Sequence, residues 1–344
     1  MVFRRYIDAM QKPFPELTYL KLQFMGNEVP ILPDTFLGGS APRLRSCHLT
    51  FILYPGLQKL LSSASHLVDL YLEGIPYSGY ISPEAMVTCL STVPSLKHFR
   101  VHFQSPRSRP DPRASQCPPL LTHTILPALT NLEFFGVSEY LEDFVSRIDA
   151  PLLASVDITF VHQYFFETPQ LHQFFSRTGK LRTLNQPSLG YEEEYAFIKV
   201  STESDSVSFP LYLSILCVKS DLLPSSMAQV CSSSLPPFST LDVLRVERYW
   251  GSHMHDNIDN TRLLELLRRF TTVKSLYLNG DTELRVLSAL QDLPKGRVTD
   301  VLPALKNLFL EGHTLSEPLW AAIAQFVGAR QLSGHPIIVH GWDR

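Results

Sequence analysis

One short phrase recurs along the whole chain: a leucine or apolar substitute, two residues, a second apolar residue, one residue, and a third. It reads Leu17-Leu20-Leu22, Leu44-Cys47-Leu49, Leu67-Leu70-Leu72 and Leu96-Phe99-Val101. It continues as Leu129-Leu132-Phe134, Leu153-Val156-Ile158, Leu181-Leu184 and Leu213-Leu216-Val218. Leu241-Leu244-Val246, Val273-Leu276-Leu278 and Leu305-Leu308-Leu310 complete it, at steps of 23 to 33 residues. A fixed phrase at such a period is the mark of a leucine-rich-repeat solenoid. The last two apolar side chains of a phrase share one face of a strand, and the residue between them faces the other way.

Between the phrases lie helix signals. Ser82-Pro83 opens a helix over Ala85–Val93, with serine as cap and proline in the first turn. Thr168-Pro169 opens Gln170–Arg177 in the same manner. Ser138 opens Glu139–Ile148, with Glu139, Glu142 and Asp143 near the positive end of the dipole. Thr261–Phe270, Glu283–Leu293 and Pro318–Val327 carry apolar residues at helical spacing. The expected fold is therefore an α/β horseshoe of about eleven repeats, with parallel strands on the concave face and helices on the convex face. An N-terminal stump or cap is expected at 1–13, the solenoid at 14–328 and a C-terminal cap at 329–344. Pro336–Val339 and Trp342 would close the array.

Two stretches break the rhythm. Residues 104–119 hold five prolines without an apolar period and read as an extended excursion. Residues 191–210 are acidic, then serine-rich, with one strand expected at Ala196–Ser201. The phrases also lack the asparagine that usually follows the third leucine; Met25, Ile52 and Ile75 stand there instead.

Composition narrows the function. The formal net charge is −3, so no basic excess exists to neutralise a phosphate backbone, and nucleic acid is not an expected partner. Charged residues make up only 18% of the chain, which suits a surface partly covered by something else. Five scattered cysteines without a Cys-x-x-Cys pair read as reduced thiols. No signal peptide and no membrane-length run is visible, so the expected address is cytoplasmic or nuclear.

The strings FPELTYLKL (14–22), SAPRLRSCHL (40–49), HLVDLYLEGIPYSGYISPEAMVTCLSTVPSL (66–96), VSEYLEDFVSRIDAPLL (137–153), QVCSSSLPP (229–237), LPALKNLFLEG (302–312) and ARQLSGHPIIV (329–339) carry a resemblance. They resemble the leucine-rich region of an expanded family of fungal F-box-like proteins. That resemblance implies a substrate receptor of a Skp1–cullin–F-box ubiquitin ligase, in which the F-box grips Skp1 and the repeats hold the protein to be modified. The F-box normally stands upstream of the repeats, and none precedes Phe14 here. Skp1 is thus an expected partner only where an F-box lies upstream.

The residues expected to bind a protein partner are the outward ones at the centre of each phrase: Lys21, His48, Tyr71, Arg100, Glu133, Asp157, Asn185, Cys217, Arg245, Tyr277 and Phe309. Aromatic and arginine side chains amid mixed charge are what binding hot spots tend to contain. The rival is an enzyme, a hydrolase or metal-dependent catalyst using His253, His255 and Asp256. A firm metal site needs three or four ligands with supporting bonds, and that cluster reads more simply as a loop. His162, Tyr164 and His172 amid Phe165, Phe166, Phe174 and Phe175 read as packing, and Glu192–Glu194 as a solvated turn. No Gly-x-Ser-x-Gly, Walker or His-Glu-x-x-His pattern occurs. The expectation is a non-catalytic recognition module with no cofactor; the blandest alternative is a partial fragment without a role of its own.

Overall fold

The computed structural model describes residues 6–7, 9–26, 29–104, 123–161, 163, 166–181, 184, 186–191, 195–201, 210–216, 223–233, 241–248, 260–279, 282–291, 293, 297–311 and 317–342. They form two compact units, one of residues 1–161 and 168–182, the other of 162–167 and 183–344.

In the first unit the phrases become parallel strands: β1 (Tyr19–Gln23), β2 (Ser46–Thr50), β3 (Asp69–Ile75), β4 (His98–Phe103), β6 (Asn131–Gly136) and β8 (Ser155–Val161). They pair in that order, each with the next. A two-stranded ribbon of β5 (Thr124–Ile125) and β7 (Ile148–Asp149) stands apart. The second and third apolar residues of the strand-forming phrases, such as Leu70, Phe99, Leu132 and Val156, are buried, except Leu22 on the edge strand β1, which is half-buried. The helices Leu57–Ser63, Pro83–Ser91, Ser138–Ser146 and Pro169–Arg177 bury their apolar stripes and pack each on the next.

Two backbone devices repeat with the phrase. The first leucine closes a turn: the N–H groups of Leu17, Leu44, Leu67, Leu96, Leu129, Leu153, Leu181 and Leu305 each donate to the carbonyl three residues earlier. Six of these eight turns hold proline at their second place, Pro15, Pro42, Pro94, Pro127, Pro151 and Pro303. Proline's fixed φ suits that position. Then one carbonyl before each strand accepts two N–H groups from the next repeat. Thr18 takes Arg45 and Ser46, Arg45 takes Val68 and Asp69, Val68 takes Lys97 and His98, and Lys97 takes Thr130 and Asn131. This locks the strand entries side by side, which fixes register from one repeat to the next.

The expected helices are present, although the one expected to reach Ile148 ends at Ser146 and Ile148 joins β7, and their capping is refined. Ser82 accepts the Ala85 N–H at 3.2 Å, as expected. Ser138 is the first helical residue rather than the cap, and Thr168 makes no capping bond through its side chain. Instead Glu142 of the preceding helix accepts the N–H groups of Gln170 and Leu171, both at 2.8 Å. Glu142 therefore serves the positive end of the following helix, not its own. Burial pushes its carboxyl up against the pull of those two bonds.

The second unit departs from the expected all-parallel order. Its strands are β9 (Gln186–Tyr191), β10 (Tyr195–Ser201), β11 (Leu211–Leu216), β12 (Val243–Arg248), β13 (Ser275–Leu278), β14 (Asn307–Glu311) and β15 (Ile338–Trp342). β10 runs antiparallel to both β9 and β11. Only residues 192–194 separate β9 from β10, too few for the crossover a parallel pair needs. The strand expected at Ala196–Ser201 is present as β10. The strand expected from the Leu181 phrase is not at Leu184: β9 begins at Gln186. From β9 through β12, β13 and β14 to β15 the pairing is parallel again. Ile338–Val339 thus adds a final strand to this sheet. Outside it pack the helices Leu223–Ser233, Asn260–Leu267, Thr282–Gln291 and Glu317–Leu332.

Candidate functional sheet faces

The register of the first unit places Lys21 beside His48, His48 beside Tyr71, Tyr71 beside Arg100, Arg100 beside Glu133 and Glu133 beside Asp157. One residue per strand, at a spacing of about 4.8 Å, makes a continuous row. Parallel rows flank it: Tyr19, Ser46, Asp69, His98, Asn131 and Ser155 on one side, with Gln23, Thr50, Glu73, His102, Phe135 and Thr159 toward the other end of the strands. None of these side chains is fully buried except Ser46.

The row is internally bonded at its centre. Arg100 donates from Nε to Glu133 at 2.6 Å and from Nη1 to Glu73 at 2.7 Å. Its guanidinium lies 4.9 Å from the centre of the Tyr71 ring, and Tyr71 meets His48 edge-on at 4.2 Å. His102 holds the other oxygen of Glu133 at 2.9 Å, and His98 holds Asp69 at 2.6 Å. Burial alone would raise the Glu73 and Glu133 carboxyls. The bonds to Arg100, Thr50 and His102 overcome it and hold both below the usual range. Burial likewise pushes the Tyr71 hydroxyl up and the His48 imidazole down. A guanidinium clamped by two carboxylates and stacked on a ring is rigid, which lowers the ordering cost of any docking event.

Asp157 differs from its neighbours. Among the described residues it has no hydrogen bond or ion pair, and its carboxyl is pushed up from about 3.8 to about 6. Burial is the main cause and the adjacent Glu133 charge the second; His102 and Arg100 oppose them. A bulge between Leu72 and Ile75 interrupts the β3–β4 register, with Gly74 at φ +64. A Cβ on Gly74 would meet the Phe51 ring at 2.4 Å, so only glycine fits that close approach.

The second unit carries its own row. Arg245, Tyr277, Phe309 and His340 are paired side by side. The Arg245 guanidinium lies 5.1 Å from the Tyr277 ring centre, Tyr277 stacks on Phe309 at 4.2 Å and Phe309 on His340 at 4.7 Å. His340 is a member that the leucine phrase did not reveal, because β15 lacks the phrase.

Asn185, Cys217, residues 105–119, Glu192–Glu194, His162, Tyr164, Phe165 and the His253, His255 and Asp256 cluster lie outside the described residues. Phe174 and Phe175 are core residues, as their helical packing predicts. Among the described residues no group of three or more histidine, cysteine, aspartate or glutamate side chains is placed to hold a metal ion. No described helix is long and apolar enough to cross a membrane.

No protein-family model matches the sequence, and no curated protein does. Among solved structures the chain is similar to the leucine-rich repeat-containing protein LegL7 from Legionella pneumophila. The two share 13% identity at a TM-score of 0.33, over 96% of this chain and 95% of that one.

Proposed function

We propose that the chain is a non-catalytic protein-recognition module of the leucine-rich-repeat kind, and that a partner docks on the sheet face of the first unit. The observation that carries this reading is the row from Lys21 to Asp157. Six successive strands hold one polar, charged or aromatic side chain each, in register, over a core of buried leucine, phenylalanine and valine. Tyrosine and arginine sit at its centre, as binding hot spots tend to have them. The Arg245, Tyr277 and Phe309 row of the second unit supports a similar use of that face.

The resemblance to F-box-like proteins favours a ubiquitin-ligase receptor as the setting. Engagement of Skp1 in that setting requires an F-box. A cytoplasmic or nuclear location accords with the free, buried thiols of Cys47, Cys89 and Cys231. The docking reading is tested by placing a photo-crosslinking amino acid at Tyr71, and separately at Thr88 on the exposed side of the Pro83–Ser91 helix. Irradiation in extract of the source cells should join a defined protein to the Tyr71 position and not to Thr88. Equal labelling at both positions, or labelling at Thr88 alone, contradicts the reading.

A further inference from the structure

The charges on the first unit's sheet face do not cancel. Its three rows hold four carboxylates, Asp69, Glu73, Glu133 and Asp157, against two permanent cations, Lys21 and Arg100. Arg100 is spent on Glu73 and Glu133, and the imidazoles of His98 and His102 are spent on Asp69 and Glu133. Lys21 stands on β1, five strands from Asp157. That is a separation of about 24 Å, well beyond the range over which salt lets charges interact. The row therefore holds, on β8, a half-buried carboxylate that makes no hydrogen bond or ion pair among the described residues, beside a second carboxylate whose partners lie on its other side.

A charge kept unpaired on an otherwise paired face is costly, and an incoming opposite charge relieves that cost. We propose that this face receives a cationic segment of its protein partner, with a lysine or arginine of that segment seated against Asp157 and Glu133. The proposal rests on the docking reading above and adds the partner's chemistry. The aromatic stretch from Tyr19 through His48 to Tyr71 gives the rest of the segment an apolar rail toward β1. The paired Arg100 rejects a cation placed on β4, so the basic residue of the partner is directed to β8.

Fluorescein-labelled octalysine and octaglutamate test this on the full chain by anisotropy at 50 and 300 mM salt. Octalysine should bind and octaglutamate should not, and the higher salt should weaken octalysine severalfold. Asp157→Asn should weaken octalysine about five- to tenfold, whereas Lys21→Ala should not weaken it. Octaglutamate binding as tightly as octalysine overturns the proposal. So does failure of both peptides, or an Asp157→Asn protein that binds octalysine like the parent. Circular dichroism of Asp157→Asn guards against loss by unfolding, which is not expected because that substitution removes an unpaired charge. If Tyr71 crosslinks a protein while octalysine fails, only the charge assignment falls. If Tyr71 fails, the docking reading falls with it.

Discussion

Arg330→Ala should lower the stability of the second unit by about 3–5 kcal/mol, with a fall in urea midpoint and little change in slope. Arg330 lies in the last turn of the Glu317–Leu332 helix, where a basic residue normally points to solvent, yet it is fully buried. Its guanidinium donates to the carbonyls of Val298, Pro303 and Leu305 at 3.3, 3.4 and 3.1 Å. Those carbonyls belong to the loop that enters β14, so one side chain ties the helix to the next strand's approach. Removing it leaves a cavity and three acceptors without their donor. Arg330→Met keeps the volume and should recover part of the loss, because only the hydrogen bonds are then missing. Arg330→Ala with an unchanged midpoint would show that water replaces the guanidinium freely.

Asp157→Asn should act in the opposite sense, raising stability by about 1–2 kcal/mol at pH 7.5, less than the full shift because solvent reaches the group, and by only a small fraction of that at pH 4. The Asp157 carboxyl is raised from about 3.8 to about 6 in the fold, chiefly by burial. Between those values the folded chain binds more protons than the unfolded one, so stability declines as pH rises across the window. Below it both states are protonated and no penalty exists. Above about pH 6 the full cost of an ionised, half-buried carboxylate is present, and the amide escapes it. Urea midpoints of the two proteins at both pH values measure the difference directly. A residue that destabilises its own fold at neutral pH is what a binding face retains for use rather than for structure. Equal midpoints at pH 7.5 would remove that argument.

Much of the first unit is legible in the sequence because two periods agree there. The phrase sets which side chains are buried, and the helix signals between phrases set what covers them. Lys21, His48, Tyr71, Arg100, Glu133 and Asp157 therefore fall on one row as the spacing requires. The proline-marked turns repeat as faithfully as the leucines, and they explain part of the 26 prolines in the chain. The 186–216 segment was not legible in its direction. Alternation of apolar and polar residues is the same in parallel and antiparallel strands; only the short connections distinguish them. Glu142 and Arg330 escape sequence reading for another reason. Each acts on a neighbouring repeat about thirty residues away, and no local pattern reports which repeat a side chain will serve.

The claim on which the rest depends is that consecutive repeats stack strand on strand in a fixed register. Paired cysteines test it most directly, in a protein whose Cys117 and Cys217 are changed to serine. Adjacent positions in a parallel sheet lie within disulfide reach. The native Cys47, Cys89 and Cys231 thiols compete poorly, because burial pushes them up to about 12, 11 and 12 and leaves little thiolate. Under mild oxidation His48→Cys with Tyr71→Cys should close a disulfide, whereas His48→Cys with Glu133→Cys, three strands apart on the same face, should not. Closure of the distant pair at a similar rate, or no closure of the adjacent pair, would contradict the stacked register and the row built on it.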